Sequence, residues 1–555
     1  MSDITLRCLN LDRDITIDGG HTLAEVAASL RDELGFEPIC CRVNNKTEGL
    51  DYALYQSKTI EFQSDRTGSG PRVYTRSLCM MLYVALRRIA PEAGLSIEHS
   101  ISHGWYCRLH DRSCVSPEFT AALREEMMRL HRADLPFVRH EELTERVVEM
   151  FERDGLKSKA LLLRTLRSLY TTYYTLDGVA DSYYGVIAPS TGHIGVFDLV
   201  PYEEGFLLLA FDPADPSKAA TPIPQPKMYR AFTDYLRFNH IVGVQDAGQL
   251  NYYAEHRRVA DLINTAEALH EKALARISDD IAARYAEGGA RIVLIAGPSS
   301  SGKTTTTKRL AIQLTTNLFK PQMISLDDYF VDRIHTPRDA SGDYDYESLY
   351  ALDLEQFNAD LNAILAGEEV ELPTYDFASG TRKYKGNKIR LEPGSVLLIE
   401  GIHGLNPELT AHIPAHMKYR VYVSALTTIS LDDHNWIPTT DNRLLRRIIR
   451  DHKYRGISAE DTIRRWPSVR RGEEKWIFPY QENADAMFNS SLIFELSVMR
   501  DYAEAVLRSV PTDVPEYAEA YRLRKFLSYF VPVNTSLIPS TSVLREFLGG
   551  SSFKY

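Results

Sequence analysis

The residues of this sequence that most directly specify chemistry form one short stretch, GPSSSGKT, directly after the apolar run IVLIA. The pattern G-x-x-x-x-G-K-[ST] comprises Gly297, Pro298, Ser299, Ser300, Ser301, Gly302, Lys303 and Thr304, and Thr305 follows it. Between a strand and a helix, this spacing is typical of a loop whose backbone N–H groups surround phosphate oxygens beside the positive end of the helix. Lys303 would then meet the β- and γ-phosphates of ATP or another nucleoside triphosphate, and Thr304 would ligate Mg²⁺. The alternative is a Gly/Ser-rich connection without chemistry, which the complete motif disfavours.

Two acidic residues stand where parallel strands are expected to end. Asp327 follows an apolar segment at 322–326, and Glu400 follows a buried-looking segment at 395–399. Open α/β sheets bind ligands at the carboxyl ends of their strands. Asp327 could accept the proton of an acceptor hydroxyl or hold Mg²⁺ through water, and Glu400 is expected to bind the metal or its water.

Positive charge for phosphoryl transfer is supplied by an arginine-rich segment at 442–451. Arg443, Arg446 and Arg450 are spaced i, i+3, i+7 and would share one face of a helix. Such a face can close over ATP as a lid, with an arginine stabilising charge in the transition state. The alternative for these arginines is a solvated charged face.

Length and composition restrict the remaining possibilities. A chain of 555 residues is too long for one compact core, and 44% apolar with 25% charged residues is ordinary for a globular protein. The net charge of −11 disfavours a protein whose main task is to bind nucleic acid. The six cysteines lack paired C-x-x-C spacing, so neither disulfides nor a thiolate zinc site is expected. Neither a signal peptide nor a membrane span is indicated, and the cytoplasm is the expected compartment.

The elements around the loop predict an α/β domain, a parallel sheet with helices on both faces. We expect further strands at 322–326, 395–399, 419–423 and 492–496, and a helix at 355–366. A long amphipathic helix, or two in sequence, is indicated at 250–285. The aromatic run at 526–531 is expected to pack in a core.

The front of the chain is predicted to hold two further domains. Strand patterns at 4–8, 15–17, 41–43 and 59–62, with a capping box at Thr22 and Glu25, resemble the β-grasp TGS domain of threonyl-tRNA synthetases. Residues 65–71 are a linker by composition, and the α+β segment after them resembles the second additional domain of the same synthetases. The H-x-x-x-H pair of that domain would fall on Met80 and Val84, so its editing chemistry is not implied.

His99 and His103 are four residues apart, a spacing that could bind a metal on a helix. However, residues 97–103 alternate apolar and polar side chains as a strand does, and a third ligand is not evident nearby. A polar strand face, solvated or directed at a ligand, is the preferred interpretation.

The second half of the chain resembles the uridine kinase and phosphoribulokinase family. The resemblance covers about 290–508 and rests on the loop, LDDYF (326–330), DYD (343–345), PTYDF (373–377), IEG (399–401) and the arginine segment. It implies that Asp327 is the general base on a nucleoside 5′-hydroxyl and that Asp345 and Arg443 contact ribose hydroxyls. It further implies that Tyr375 and Phe377 border the base and that Arg446 and Arg450 belong to the lid over the phosphates. The family usually places a histidine that reads the pyrimidine where this chain has Gly380, so the base specificity is expected to differ.

These observations predict an ATP- and Mg²⁺-dependent kinase that phosphorylates the 5′-hydroxyl of a nucleoside. The alternatives are a kinase of another small sugar or alcohol, similar to phosphoribulokinase, and a nucleotide-regulated protein that binds tRNA or an effector. A homo-oligomer without nucleic acid is expected. The predicted domains are a TGS-like domain (1–66), an α+β domain (67–245), a helical connector (246–289), the kinase domain (290–508) and a C-terminal extension that packs on it (509–555).

Overall fold

The computed structural model describes residues 3–110, 114–339, 342–377 and 379–555. It begins with a mixed five-stranded sheet of order β2-β1-β5-β3-β4, in which β1 runs parallel to β5. The predicted capping box starts helix α1, since Thr22 and Glu25 exchange hydrogen bonds with each other's backbone N–H. The elements are β1 (Asp3–Cys8), β2 (Arg13–Asp18), α1 (Leu23–Ser29), α2 (Arg31–Leu34), β3 (Cys40–Val43), β4 (Lys46–Glu48) and β5 (Lys58–Gln63).

Two smaller sheets follow, of order β10-β9-β8 and β11-β12-β7-β6, and they share one core with the buried helix α3. That helix begins at Gly70, inside the segment expected to be a linker, because Pro71 is compatible with the first turn of a helix. The elements are α3 (Gly70–Ile89), β6 (Leu95–Ile101), β7 (Gly104–Leu109), α4 (Pro117–Ala133), β8 (Val138–Leu143), α5 (Thr144–Arg153), α6 (Lys157–Leu166), β9 (Tyr170–Leu176), β10 (Val179–Asp181), β11 (Asp198–Tyr202) and β12 (Gly205–Leu209).

The two histidines weighed for metal binding are separated by this fold. His99 lies in β6, buried, with its ring stacked on Phe232 at 3.7 Å between centroids. His103 lies in the following turn and contacts the carbonyl of Thr221. Among the described residues, no group of three His, Cys, Asp or Glu side chains could hold a metal ion. His99 lies in a strand, as predicted, but its side chain is buried in the core and is neither solvated nor directed at a ligand.

Three helices lead to the second half of the chain: α7 (Pro226–Val242), α8 (Ala247–Glu255) and α9 (Val259–Ala286). The amphipathic pattern at 250–285 is therefore two helices in sequence. Buried residues of α9 pack against the sheet that follows.

That sheet has five parallel strands in the order β14-β17-β13-β18-β19. Alternate residues of β13 enter two cores, with Ile292 and Leu294 facing α11 and Val293 and Ile295 facing α9 and α10. The predicted parallel sheet with helices on both faces is confirmed. The elements are β13 (Ile292–Ala296), α10 (Lys303–Thr316), β14 (Lys320–Ser325), α11 (Leu354–Leu365), β15 (Val370–Asp376), β16 (Thr381–Ile389), β17 (Ser395–Glu400), β18 (Lys418–Ser424), α12 (Thr439–Arg455), α13 (Ala459–Trp476), β19 (Ala486–Asn489) and α14 (Glu495–Leu507).

The last strand lies earlier in the chain than expected. Residues 492–496 were predicted as a strand, but β19 is Ala486–Asn489 and helix α14 begins at Glu495. Leu492, Phe494 and Leu496 are all buried where the chain enters that helix. Because a short run that is apolar on every side has no period, it is compatible with either element.

The chain closes with α15 (Tyr517–Leu527) and α16 (Arg545–Leu548), which pack against α14 and α12 respectively. Phe526 and Phe530 are buried there, which confirms the predicted core packing of this run. All six cysteines are free. None of the described helices has the length and apolar character needed to cross a membrane.

Candidate active site

The glycine-rich loop occupies the predicted position between β13 and α10. Gly297 follows the strand, Gly302 adopts a left-handed conformation with φ +82° directly before the helix, and Lys303 begins the helix. Lys303, Thr304 and Thr305 form the first turn of α10, where backbone N–H groups lack intrahelical partners. The Lys303 ammonium donates to the carbonyl of Pro298 at 3.2 Å. The turn therefore presents backbone donors and a positive helix end to a phosphate, although the N–H of Thr305 already donates to Glu546.

Strand register brings the two predicted carboxylates to the same edge of the sheet. Glu400 at the end of β17 pairs with Ser325 of β14 on one side and with Ile295 of β13 on the other. Asp327 lies two residues beyond Ser325, in a short 3₁₀ helix (Leu326–Tyr329). Both carboxylates thus stand beside the loop, at the carboxyl ends of parallel strands.

Thr304 and Glu400 form the predicted metal pair. The Thr304 hydroxyl donates to a Glu400 carboxylate oxygen at 3.0 Å. Burial raises the pKa of Glu400 to about 7, with the Lys303 ammonium lowering it and Asp327 raising it. A hydroxyl and one carboxylate suit Mg²⁺, which binds through one or two protein oxygens together with waters and substrate phosphates. This donor set fits the metal, with the nucleotide supplying further ligands.

Asp327 is exposed at this edge of the sheet, although neighbouring protein atoms still partly desolvate its carboxylate. Burial raises the pKa of this carboxyl, and the positive charges of Lys303, Arg455 and Arg450 oppose the shift. A carboxylate with a raised pKa is a better proton acceptor than a free one. This environment suits the predicted role of general base.

A third carboxylate, which sequence reasoning missed, belongs to Glu347. Burial raises its pKa to about 7, Glu473 raises it further, and Arg447 and Lys303 lower it. One of its oxygens is buried without a hydrogen-bond partner among the described residues. Its position two residues after Asp345, in an acidic segment of the family resemblance, was the available signal.

Two of the predicted arginines lie behind the loop. Arg443 and Arg446 have side-chain exposures of 1% and 0%. Arg443 donates to the carbonyl of Ser299 at 2.9 Å, and Arg446 donates to the carbonyl of Ser300 at 3.5 Å. The predicted contacts of Arg443 with ribose and of Arg446 with the migrating phosphate stay predictions. In the structure, these two arginines hold the backbone carbonyl groups of Ser299 and Ser300 in the loop.

Each of these buried guanidinium groups has its own carboxylate. Arg443 pairs with Glu473, and Arg446 pairs with Glu495. Glu473 also accepts from the backbone N–H of Ser299 at 3.1 Å, so it contacts the loop directly. Burying a cation requires such a partner, because desolvation costs several kcal/mol per ion.

The remaining arginines of α12 are less deeply buried than these two. Arg447, absent from the prediction, donates to the Ser299 hydroxyl at 2.9 Å. Arg450 donates to Asp451 at 2.9 and 3.0 Å and lowers the pKa of Asp327. Of the three predicted arginines, Arg450 is therefore the one that acts on the predicted base.

Aromatic side chains lie where the nucleoside that accepts the phosphoryl group is predicted to bind. Tyr375 packs against Phe377 at 5.1 Å and against Phe330 at 5.6 Å between ring centroids. The Tyr375 hydroxyl is buried without a partner among the described residues, while Phe377 is 57% exposed. Asp345 accepts from the backbone N–H of Glu347 at 3.2 Å, which ties it to the acidic segment facing Lys303.

Gly380, which replaces the expected histidine, lies in the turn between β15 and β16 with φ +71°. A Cβ atom here would stand 2.9 Å from the side chain of Arg333. Arg333 in turn donates to the carbonyl of Phe377 at 2.5 Å. A guanidinium therefore occupies the space that a side chain at position 380 would need.

The C-terminal segment reaches the loop from the other side. Val543 lies against Gly302, where a Cβ would stand 2.4 Å from its methyl group. Phe547 lies 5.1 Å from the guanidinium of Arg446. Glu546 accepts hydrogen bonds from Thr305, and Tyr555 contacts the same hydroxyl at 2.9 Å.

Comparison with known proteins assigns this site to a family. The model of the phosphoribulokinase / uridine kinase family matches residues 292–494. Uridine kinases of Staphylococcus aureus strains JH9 and Newman are each 31% identical over 195 residues, which is 35% of this chain and 84% of each relative. The chain belongs to the phosphoribulokinase / uridine kinase family.

In this family the loop binds an ATP-type donor, typically with Mg²⁺, and the chemistry is phosphotransfer. The match lies within the parallel-sheet half, from β13 to the start of α14. Among solved structures, D-glycerate 3-kinase from Cryptococcus neoformans is 15% identical, with 47% of this chain and 87% of that chain covered and a TM-score of 0.23.

Proposed function

We propose that this protein transfers the γ-phosphoryl group of ATP to the 5′-hydroxyl of a nucleoside. The observation that carries the proposal is the convergence of Lys303, the Thr304–Glu400 pair and Asp327 at one edge of the parallel sheet. Phosphoryl transfer needs a phosphate cradle, a metal position and a proton acceptor for the attacking hydroxyl. These residues are placed so that they would supply each of the three.

The proposed reaction follows from these positions. The acceptor oxygen attacks the γ-phosphorus, Asp327 takes the hydroxyl proton, and ADP leaves with the electrons of the broken P–O bond. Lys303 and the first turn of α10 hold the donor phosphates. Mg²⁺, held by Thr304 and Glu400, would offset negative charge on the phosphates. Arg450, whose charge lowers the pKa of Asp327, would add positive charge near the transfer path.

The acceptor would lie against the aromatic side of the cleft. Phe377 offers an exposed ring for a nucleobase, and the unpaired hydroxyl of Tyr375 offers a hydrogen bond. We assign the ribose hydroxyls to Asp345 on the resemblance alone. Because Arg333 takes the space beside Gly380, discrimination between bases would differ from that of a histidine-bearing relative.

Arg333 also favours a second candidate, a small sugar or alcohol that carries a phosphate. A guanidinium beside the acceptor cleft binds phosphate in a bidentate geometry that a neutral nucleoside does not use. The chemistry at Asp327 and Lys303 would be unchanged.

We further propose that residues 1–66 form a TGS-like β-grasp domain and 67–245 an α+β domain. The five-stranded mixed sheet with α1 against it, and the two later sheets around α3, support these assignments. Residues 246–289 connect them to a kinase domain at 290–508, on which 509–555 pack. A homo-oligomer located in the cytoplasm stays a prediction.

The proposal is tested by measuring ADP release from ATP with and without a panel of nucleosides. Acceptor-stimulated release is expected for the intact chain and is expected to vanish in Lys303→Ala. Lys272→Ala, an exposed lysine on α9, is the matched control and should behave as the unaltered protein. ADP release that no nucleoside or phosphorylated sugar stimulates would overturn the proposal.

A further inference from the structure

A cavity of about 410 Å³ lies between the front half and the C-terminal helices, away from the loop. Its walls come from α6 and β9 on one side and from α14, α15 and the segment after β18 on the other. This volume falls within the usual range for sites that enclose a small molecule.

The acidic side of the cavity is already neutralised. The Lys159 ammonium donates to Asp181 and Asp432 at 2.8 Å each and to the carbonyl of Ser182 at 3.1 Å. All three of its protons therefore have acceptors. His434 completes this buried set by contacting Asp181 at 2.8 Å. These contacts hold this wall of the cavity in place, and they leave Lys159 no N–H group to donate to a ligand.

The opposite wall carries cations without acidic partners. Arg500 on α14 donates to the carbonyl of Phe530, and its Nε atom is buried without an acceptor. Lys525 on α15 makes neither a hydrogen bond nor an ion pair through its ammonium with any described residue. Desolvation lowers the pKa of Lys525, and the nearby charges of Arg76 and Lys46 lower it further.

Arg76 adds a third uncompensated charge next to this wall. It is 7% exposed, and its guanidinium donates to the carbonyl of Val186 at 2.8 and 3.0 Å and lies over the ring of Tyr184. Within the described part of the chain it pairs with no carboxylate. Lys525 is exposed and Arg500 is partly buried, so both are accessible to a ligand in the cavity, while Arg76 behind them is buried without a carboxylate. Because charges shielded from water are ordinarily paired, these three cations without acidic partners favour an anionic ligand.

The rest of the lining suits the body of an organic molecule. Leucine side chains form an apolar patch, and the rings of Tyr184 and Tyr529 provide flat surfaces. The apolar members are Leu162, Leu163, Leu166 and Leu431. Such a lining, with a few convergent polar groups, is characteristic of small-molecule sites.

We propose that this cavity binds a small organic anion, bearing a phosphate or carboxylate, through Lys525 and Arg500. The site is separate from the kinase loop, but one helix joins the two. Helix α14 carries Arg500 at the cavity and, at its first residue, Glu495, which pairs with Arg446 behind Ser300. The same helix, α14, therefore lines the cavity and supports the phosphate loop.

The test is calorimetric titration of the full-length Lys303→Ala protein at low salt, in which binding of the anionic probes at the phosphate loop is weakened. The probes are inorganic phosphate, ribose 5-phosphate, uridine 5′-monophosphate and citrate, with ribose as the uncharged control. Citrate carries only carboxylates, so comparing it with the phosphate-bearing probes shows which of the two anionic groups the cavity binds. Lys525→Gln removes the charge, Lys525→Arg restores it, and Lys272→Gln is the matched exposed-lysine control.

At least one anion is expected to bind while ribose does not. Lys525→Gln should weaken its binding at least about tenfold, the effect of losing a charge-assisted hydrogen bond. Lys525→Arg should recover most of the affinity, and Lys272→Gln should not change it. The proposal is overturned if none of the four anions binds, or if affinity is the same in Lys525→Gln as in its parent.

Discussion

The carboxylate of Glu546 accepts hydrogen bonds from both the backbone N–H and the hydroxyl of Thr305, at 3.3 and 2.6 Å. Thr305 lies in the first turn of α10, where the phosphate loop presents its donors. A carboxylate from the C-terminal segment thus occupies donors that the phosphates of ATP would use. The two negative groups would compete for the same helix end.

Replacing Glu546 with glutamine should therefore strengthen ATP binding. The amide keeps the shape of the side chain but removes the repulsion of the donor phosphates, worth about 1 kcal/mol after solvent screening. The expected result is a fall of about fivefold in the KM for ATP. Glu287→Gln, an exposed residue after α9, is the control. An unchanged or higher KM in Glu546→Gln would show that the carboxylate does not oppose the donor.

Turnover should depend on the protonation of Asp327. A base must be deprotonated to accept the acceptor proton, and burial raises the pKa of Asp327 above its ordinary value. Activity is therefore expected to be low below that pKa and to rise with pH as the carboxyl ionises. The measurement is a profile of kcat/KM between pH 5 and 8, with circular dichroism to confirm that the fold persists. Asp327→Asn should lose activity by at least about a hundredfold at every pH, and substantial residual turnover in it would rule out the assignment.

Removing the partner of a buried arginine should destabilise the protein. Glu495→Gln leaves the guanidinium of Arg446 buried without a countercharge, which costs about 3 kcal/mol. Thermal unfolding should shift to lower temperature. Glu504 of the same helix pairs at the surface with Arg508, directly after the helix, and Glu504→Gln should change stability by less than about 0.5 kcal/mol. Equal effects of the two substitutions would contradict the role given to Glu495.

Arg333→Ala distinguishes the two classes of acceptor. If the acceptor is a nucleoside, opening the space beside Gly380 should change the ratio of kcat/KM between bases while the protein stays active. If it is a phosphorylated sugar, loss of the guanidinium should raise the acceptor KM about tenfold or more. Steady-state kinetics with both acceptor classes measure this. The KM for ATP serves as the internal control and should not change.

The order of strands and helices around the loop was accessible from the sequence because it depends on local patterns. The run from 292 to 296 and the motif after it specify a strand, a loop and a helix within a few residues. The acidic residues at 327 and 400 could be predicted for the same reason, since Glu400 ends its strand and Asp327 lies just beyond one. The segment at 492–496 carries no period, and there the prediction was wrong.

The environment of the arginines could not be predicted, because their partners are distant in the chain. Glu473 lies 30 positions from Arg443, and Glu495 lies 49 positions from Arg446. The contact of Glu546 with Thr305 spans 241 positions. Helical spacing correctly placed Arg443, Arg446 and Arg450 on one helix, but it could not show that two of them are buried behind the loop.

The most direct test of the central claim is to identify the phosphorylated product. The protein is incubated with ATP, Mg²⁺ and one nucleoside at a time, and the product is characterised by mass spectrometry and by ³¹P NMR coupling to ribose protons. One phosphate on the 5′ oxygen of a nucleoside for each ADP released is the expected result, with none from Lys303→Ala. ADP formed at the same rate without an acceptor, or phosphate on any atom other than that oxygen, would contradict it.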